Sequence, residues 1–443
     1  MKSMSVKKID NNFKKALNVI VENRGCYVKH PKIDFTRNRK ISMKSTMIEI
    51  LSMGGESLPK EMLKFSDINN TEITTSAFIQ QRSKILPSAF IDLFYTFNEY
   101  CNDNKNYRGY KLLAVDGSEI DCYRNPESPN YMKTKQSEKG FNKIHLNALY
   151  DILNKTYVDV LLQPRPKADE QGALVEMVNR NEFIEKNLII SDRGYEGYNT
   201  IMHLCRAKNV DFICRARHGK GAFRDIAKLP MMELDTDIRG EIATTQANED
   251  KEKGRIFLQT GSNKGKKNSP KTKITKWDFE SPCSFSFRVV RFLLETGEYE
   301  TIITSLNRKD FPASEIKTLY HMRWGIETSF RDVKYSVGLI NIHSKKDNLV
   351  EQEIYAAITM YNYCSRIANA VPVDASKEKK YTYKINYTVA VSICKKFVRK
   401  QKIDFESLIR NICKNTVPMR PGRKDERNIK LKGFVGFMYR VAA

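Results

Sequence analysis

Residues 319–334, LYHMRWGIETSFRDVK, have helical spacing and place one glutamate, Glu327, among cations and aromatic side chains. With about 100° of rotation per residue, four polar side chains share one stripe, roughly 60° wide, on a straight helix: Tyr320, Arg323, Glu327 and Lys334. The stripe borders the apolar face, a position that is costly for unpaired charge and typical of a cleft wall. Taken alone, an ordinary i,i+4 ion pair between Arg323 and Glu327 is the commoner explanation of such a pattern.

Two aspartates extend the pattern to other parts of the chain. Asp116 follows the apolar run LLAV and Asp192 follows LIIS, so each is predicted to lie where a buried strand ends. A single aspartate in such a place is usually the cap of a turn or helix. Two of them on strands of one sheet, together with Glu327 on a helix that faces a cleft, predict three carboxylates that converge.

Three convergent carboxylates without histidine or cysteine favour a hard divalent cation, Mg²⁺ or Mn²⁺. Two such ions about 3.5–4 Å apart can activate an attacking oxygen and stabilise the leaving oxygen of a phosphodiester. Arginine and lysine side chains beside them would contact phosphates. The pattern therefore predicts a metal-dependent centre that acts on nucleic acid.

The composition agrees with a polyanionic partner. The 443 residues carry a formal net charge of +24, and cations that neutralise phosphates release condensed counterions from nucleic acid. A basic protein without such a partner is the alternative. The nine cysteines show no paired or metal-ligand spacing, which favours a reducing cytoplasm. No run of about 18 apolar residues is present, so we expect no membrane span.

The elements that position these residues follow from apolar periodicity. Residues 1–105 are predicted to be helical, with a break at Pro87 between two short helices. Such a pair would suit a small DNA-binding domain or, equally, a plain helical bundle. Residues 106–217 have the order three strands, helix, strand, helix, strand, which is typical of an α/β sheet covered by helices.

The second half of the chain begins with a change of pattern. Residues 218–300 are predicted to form a β-rich insertion with a lysine-rich loop at 261–277. Residues 301–371 return with a strand and a long helix over 313–335, which carries Glu327. Residues 372–443 form a basic C-terminal region.

The motifs resemble those of a known family. The spacing Tyr-(2)-Arg-(3)-Glu-(6)-Lys is similar to the signature of one branch of bacterial insertion-sequence DDE transposases, the insertion-sequence-four family. It is formed by Tyr320, Arg323, Glu327 and Lys334. The motifs VDGSEI around Asp116 and SDRGY around Asp192 precede it in the same order as in that family. The resemblance covers about residues 108–370.

The resemblance implies a fold and a reaction. The fold would be an RNase H-like catalytic core with the β-rich insertion, preceded by the helical domain and followed by the basic region. Asp116, Asp192 and Glu327 would form the DDE triad, bind Mg²⁺ or Mn²⁺, and catalyse cut-and-paste transposition by phosphodiester hydrolysis and strand transfer. The expected DNA contacts are Tyr320, Arg323 and Lys334, with Arg193 and Trp324 as further candidates.

The resemblance also implies partners. A homodimer would hold the terminal inverted repeats and target DNA in a synaptic complex, in the bacterial cytoplasm and in association with the nucleoid. Two alternatives stay open: a catalytically inert DNA-binding repressor derived from a transposase, and a DDE nuclease without strand transfer. Relatives that form a DNA hairpin carry a tryptophan where this chain reads Glu298-Tyr299-Glu300, so a hairpin intermediate is not implied.

Overall fold

The structure is a computed structural model, and it describes residues 4–37, 39–69, 72–101, 103–135, 137–218, 223–260, 275–373, 381–400 and 404–419. Most of the predicted lysine-rich loop at 261–277 and the basic segment that follows Met419 lie outside these ranges. The centre of the molecule is a mixed sheet of ten strands. No helix in the described ranges is sufficiently long and apolar to cross a membrane.

The N-terminal region is helical, as its apolar spacing predicts. Ser5, Ser42 and Thr74 begin three of the helices by accepting a backbone N–H of the first turn. Pro87 separates the last two helices, as predicted. The helices are α1 (Val6–Glu22), α2 (Met43–Ser52), α3 (Leu58–Asn69), α4 (Thr75–Arg82) and α5 (Ser88–Tyr100). DNA binding by this region stays a prediction.

The first part of the sheet has the strand order β4-β3-β1-β5-β6. The first three of these strands are antiparallel neighbours, whereas β5 and β6 run parallel to β1. The elements are β1 (Tyr110–Cys122), β2 (Tyr131–Thr134), β3 (Ser137–Asp151), β4 (Thr156–Pro164), α6 (Glu170–Arg180), β5 (Lys186–Ser191), α7 (Tyr198–Arg206) and β6 (Val210–Ala216). This is an RNase H-like arrangement. The predicted order of strands and helices is confirmed, with β2 as an additional short edge strand.

The predicted β-rich insertion continues the same sheet. Its elements, with the strand that returns to the core, are α8 (Arg224–Ala227), β7 (Leu234–Ala243), α9 (Asn248–Glu252), β8 (Ile256–Phe257), β9 (Cys283–Leu293) and β10 (Tyr299–Thr304). β10 pairs with β6, β9 pairs with β10, β7 pairs with β9, and β8 forms the edge. The insertion is therefore built onto the core through β10.

The prediction of one long helix over residues 313–335 is wrong. The segment consists of α10 (Ala313–Met322), α11 (Trp324–Arg331) and a π-helical turn (Asp332–Val337). The break lies at Arg323, where the Arg323 N–H bonds to the Tyr320 carbonyl and the Ile326 N–H bonds to the Arg323 carbonyl. These three-residue bonds are tighter than those of an α-helix, so Arg323 interrupts the α-helical hydrogen-bond pattern while it keeps helical backbone angles.

A long helix, α12 (Asp347–Ala370), organises the packing of the N-terminal helices. It is buried over most of its surface and packs against α1, α2 and α5. Two further helices complete this side: α13 (Tyr387–Lys400) and α14 (Phe405–Lys414), flanked by the paired strands β11 (Tyr383–Ile385) and β12 (Thr416–Pro418). The N-terminal helices thus share one apolar cluster with α12 and α13.

Candidate active site

Asp116 lies inside β1 and not at its end, so that part of the prediction is wrong. The pairing of β1 with β5 stops at Ala114, opposite Ile190, whereas the pairing with β3 continues and sets Asp116 opposite Ala148. β1 is therefore longer than its parallel neighbour. Asp116 lies beyond the tip of β5, at the edge where ligands bind in sheets of this kind.

Asp192 follows β5 directly, as predicted. It caps a short 3₁₀ turn, Arg193–Tyr195, and its Oδ1 accepts the Gly194 N–H at 2.7 Å. Asp116 Oδ1 likewise accepts the Gly117 N–H at 2.8 Å. Each aspartate is thus oriented by the backbone of a nearby glycine.

Arg323 connects Asp116 to Glu327, which lies in the first turn of α11. Its Nη2 lies 2.7 Å from Glu327 Oε1, and its Nη1 lies 3.4 Å from Asp116 Oδ2. The guanidinium is only 11% exposed, and the neighbouring Tyr320 and carboxylates raise its pKa although burial opposes this. The i,i+4 pair considered from sequence is therefore present, and it extends to a third residue on β1.

The charges of both other carboxylates affect the pKa of Asp116. Burial raises the pKa of Asp116 to about 6, and the negative charges of Asp192 and Glu327 add to this effect, against the Gly117 N–H and Arg323. Like charges raise the pKa of a carboxyl group, so Asp116 lies in the field of both other carboxylates. Through Arg323 the structure brings Asp116 and Glu327 to one place. For Asp192 the link to Asp116 is this charge interaction.

The donor set fits a hard divalent cation by its chemistry. Carboxylate oxygens are the preferred ligands of Mg²⁺, and a cation would relieve the excess negative charge at Asp116. In the part of the chain that the structure describes, no three His, Cys, Asp or Glu side chains have metal-binding spacing. Arg323 instead lies between two of the carboxylates. Metal binding by the trio stays a prediction.

The predicted DNA contacts differ in accessibility. Tyr320 is buried beneath the site, and burial raises its pKa. Trp324 is 54% exposed at the start of α11, and Arg193 is exposed beside Asp192. Lys334 is half-buried in the π-helical turn. In this arrangement Arg193 and Trp324 are the most open to a large ligand.

A cavity of about 690 Å³ lies beside the Asp192 turn, and sequence reasoning missed its polar lining. Gly194 belongs to its wall, together with His145, Arg165, Glu170 and Lys276. Glu170 follows the N-cap Asp169 and has the pattern of an ordinary acidic residue in a first helical turn. His145 is a lone histidine within β3. Neither residue carries a signal in the sequence that would have marked it.

The sheet order and the acidic residues gathered beyond the tip of β5 define an RNase H-like protein with an acidic centre. The chain belongs to the transposase DDE domain family, whose family model matches residues 107–363.

Two known proteins are similar to this chain. One is the transposase InsG for insertion sequence element IS4 of Escherichia coli (strain K12), with 39% identity over 69 residues. That match covers 15% of this chain and only 16% of the relative. The other is the piggyBac transposase in the cryo-EM structure of its synaptic complex with hairpin DNA. It has a TM-score of 0.47 and 11% identity, over 94% of this chain and 87% of that chain. This likeness is too distant to assign individual residues.

Proposed function

We propose that this protein is a DNA transposase that excises and inserts an insertion sequence by metal-dependent phosphodiester hydrolysis and strand transfer. The observation that carries the proposal is the contact of Arg323 with carboxylates from two separate elements, at 2.7 Å from Glu327 Oε1 and 3.4 Å from Asp116 Oδ2. The charge of Asp192 also acts on Asp116. In a chain of the transposase DDE domain family, three carboxylates in one electrostatic environment match the requirement for a metal-dependent centre.

Each residue of the centre has a proposed role. Asp116, Asp192 and Glu327 would hold Mg²⁺ or Mn²⁺, which when bound stabilises charge on the attacking and leaving oxygens of the phosphodiester. The Gly117 and Gly194 N–H groups orient the two aspartates. Arg323 keeps Asp116 and Glu327 together through its two terminal nitrogens.

DNA is the proposed partner. The net charge of +24 favours a polyanion, and Arg193 and Trp324 are exposed close to the carboxylates. Arg193 would pair with a phosphate, and Trp324 would stack on a base. Lys334 and Arg323 would add phosphate contacts, and Tyr320 would support them from below. The proposed complex is a homodimer that holds the two inverted repeats and the target DNA, in the bacterial cytoplasm at the nucleoid.

Glu327→Gln tests the proposal. With Mg²⁺ and DNA that carries the element's own ends, the wild type should release 3′-OH termini, whereas Glu327→Gln should bind the DNA without cutting it. Glu315→Gln is a matched control, because Glu315 lies on the neighbouring α10 in an ion pair with Arg108. Cleavage by Glu327→Gln at the wild-type rate would remove Glu327 from the centre.

The same assay separates the alternatives. Cleavage without joining to target DNA would identify a nuclease without strand transfer. Binding of the ends by the wild type without any cleavage in Mg²⁺ or Mn²⁺ would identify an inert DNA-binding protein and would overturn the proposed activity.

A further inference from the structure

We propose that Glu170 and His145 form a positioning pair beside two glycine backbones, Gly117 inside β1 and Gly194 in the Asp192 turn, and thereby set the affinity of the centre for its divalent cation. This inference rests on the proposed function. It adds two residues that lie outside the triad and outside the predicted DNA contacts.

The two aspartates depend on two glycines. The Gly117 and Gly194 N–H groups donate to Asp116 Oδ1 and Asp192 Oδ1, at 2.8 Å and 2.7 Å. A shift of either peptide would therefore turn a carboxylate of the centre. Whatever fixes these two peptides also fixes the direction of the oxygens.

Glu170 lies beside both glycines. A Cβ added at Gly117 would lie 2.9 Å from Glu170 Oε1 and 2.5 Å from His145 Nε2, and one added at Gly194 would lie 3.4 Å from Glu170 Oε2. The two oxygens of one carboxylate thus face a residue of β1 and a residue of the Asp192 turn, which are distant in the chain. The close approach at Gly117 explains why that position has no side chain.

His145 fixes the orientation of Glu170. Its Nε2 lies 3.1 Å from Glu170 Oε1, and this pairing lowers the pKa of Glu170 although burial opposes it. His145 comes from β3 and Glu170 from the first turn of α6, so the pair connects the sheet to the helix. The Glu170 side chain is 41% exposed, so its position depends on His145 more than on burial.

Three buried polar atoms at this pair and beside it lack hydrogen-bond partners among the described residues. They are Nδ1 and Nε2 of His145, which is 5% exposed, and the hydroxyl of Tyr195, which is 1% exposed and belongs to the Asp192 turn. His145 Nε2 therefore meets Glu170 Oε1 at ion-pair distance without the geometry of a hydrogen bond. Burial, with the charges of Glu170, Asp116 and Asp192, raises the pKa of Tyr195 far above its ordinary value.

The test is a titration of the full chain with Mn²⁺ in the absence of DNA. Binding is measured as the decrease in the electron paramagnetic resonance signal of free Mn²⁺. Glu170→Ala and His145→Asn should weaken binding by about 10–100-fold, the range seen when partners of metal ligands are removed. Glu170→Gln keeps the shape of the side chain and should lose less Mn²⁺ affinity than Glu170→Ala. It also keeps the test valid if Glu170→Ala does not fold.

His203→Asn is the matched control. His203 lies on α7 and pairs with Asp278 at 3.0 Å. Neither residue belongs to the positioning pair or to the glycines beside it. This variant should bind Mn²⁺ like the wild type. Amide hydrogen exchange should accelerate around Gly117 and Gly194 in the Glu170 and His145 variants, and not in His203→Asn.

The outcomes separate this inference from the proposed function. Wild-type Mn²⁺ affinity in all Glu170 and His145 variants, or an equal loss in His203→Asn, would overturn the positioning pair. A wild type that binds Mn²⁺ with the expected differences but cuts no DNA would leave the pair standing and overturn the proposed activity. A wild type that binds no Mn²⁺ would overturn both.

Discussion

Two regions of the molecule bury a carboxylate against an arginine, and they shift the pKa of that carboxylate in opposite directions. On α12, Glu353 lies 2.9 Å from Arg82 and 3.1 Å from His343. Burial opposes ionisation, but the charge of Arg82 and the hydrogen bonds from His343 lower the pKa of Glu353 to about 2. At the candidate active site, burial and two like charges raise the pKa of Asp116 to about 6, and Arg323 only partly compensates.

The difference shows what separates a structural ion cluster from a binding centre. Arg82 also donates to Gln352 Oε1 at 3.0 Å and to the Leu349 carbonyl at 2.6 Å, so the cluster on α12 completes its own hydrogen bonding. Asp116 and Glu327 instead share one arginine, and Asp192 adds a further like charge. Under the proposed function such a group gains an external cation, which the α12 cluster does not need.

The largest effect that we expect is on stability at α12. Arg82→Ala leaves Glu353 buried without its main cation and should lower the free energy of unfolding by roughly 3–5 kcal/mol. Denaturant titration measures this loss. Arg323→Ala is the matched variant and should cost far less, because its carboxylates are partly solvated. Equal losses in the two variants would break the comparison.

The pH dependence of stability should follow Glu353. Its pKa in the folded state, about 2, lies below the ordinary 4.5, so its contribution is present above about pH 4.5 and is lost as the pH falls toward 2. The contribution is on the order of 3 kcal/mol. The difference in unfolding free energy between the wild type and Glu353→Gln should therefore shrink as the pH is lowered from 7 to 3. A constant difference would contradict this.

At the active site, removal of a carboxylate should leave the fold intact. Asp116→Asn removes one like charge, so its free energy of unfolding without metal should stay within about 1 kcal/mol of the wild type or rise. Mg²⁺ at ten times its dissociation constant should stabilise the wild type by about 1.4 kcal/mol, but not the variant. Thermal melting with and without Mg²⁺ measures both effects, and an unchanged Mg²⁺ effect in Asp116→Asn would place the cation elsewhere.

The smallest effect concerns the cations around the centre. Lys334→Ala should weaken binding of the end DNA and reduce the slope of log K against log salt by about 1, the loss of one phosphate contact. Lys253→Ala is the control, because Lys253 lies in the insertion and pairs with Glu249. An unchanged slope in Lys334→Ala would remove this lysine from the phosphate contacts.

Local patterns predicted part of the site. Asp192 was placed correctly because the run LIIS ends β5 and the pairing on both sides ends with it. Asp116 was misplaced because β1 continues along β3 after β5 has ended. An apolar run in one strand carries no information about the length of its neighbours. The RNase H-like order of elements was predictable because each element has its own period.

Contacts between residues that are distant in the chain could not be predicted from the sequence. The break at Arg323 lies two residues before Gly325, inside a run with helical apolar spacing, and Arg323 contacts Asp116 from a different element. The pair of Arg82 and Glu353 spans 271 residues, and Glu170 lies beside a residue of β1 and a residue of the turn after β5. Such contacts depend on how the elements pack, which apolar periodicity does not specify.

The position of α12 in the chain has a consequence for synthesis. The helices α1, α2 and α5 cover their apolar faces with α12, yet they leave the ribosome long before it does. A nascent chain therefore carries Asp116 and Asp192 while its first helices still lack their cover, and Glu327 follows only shortly before α12. The acidic centre and its support are completed almost together, so a protein proposed to break DNA stays harmless until nearly all of its core has been translated.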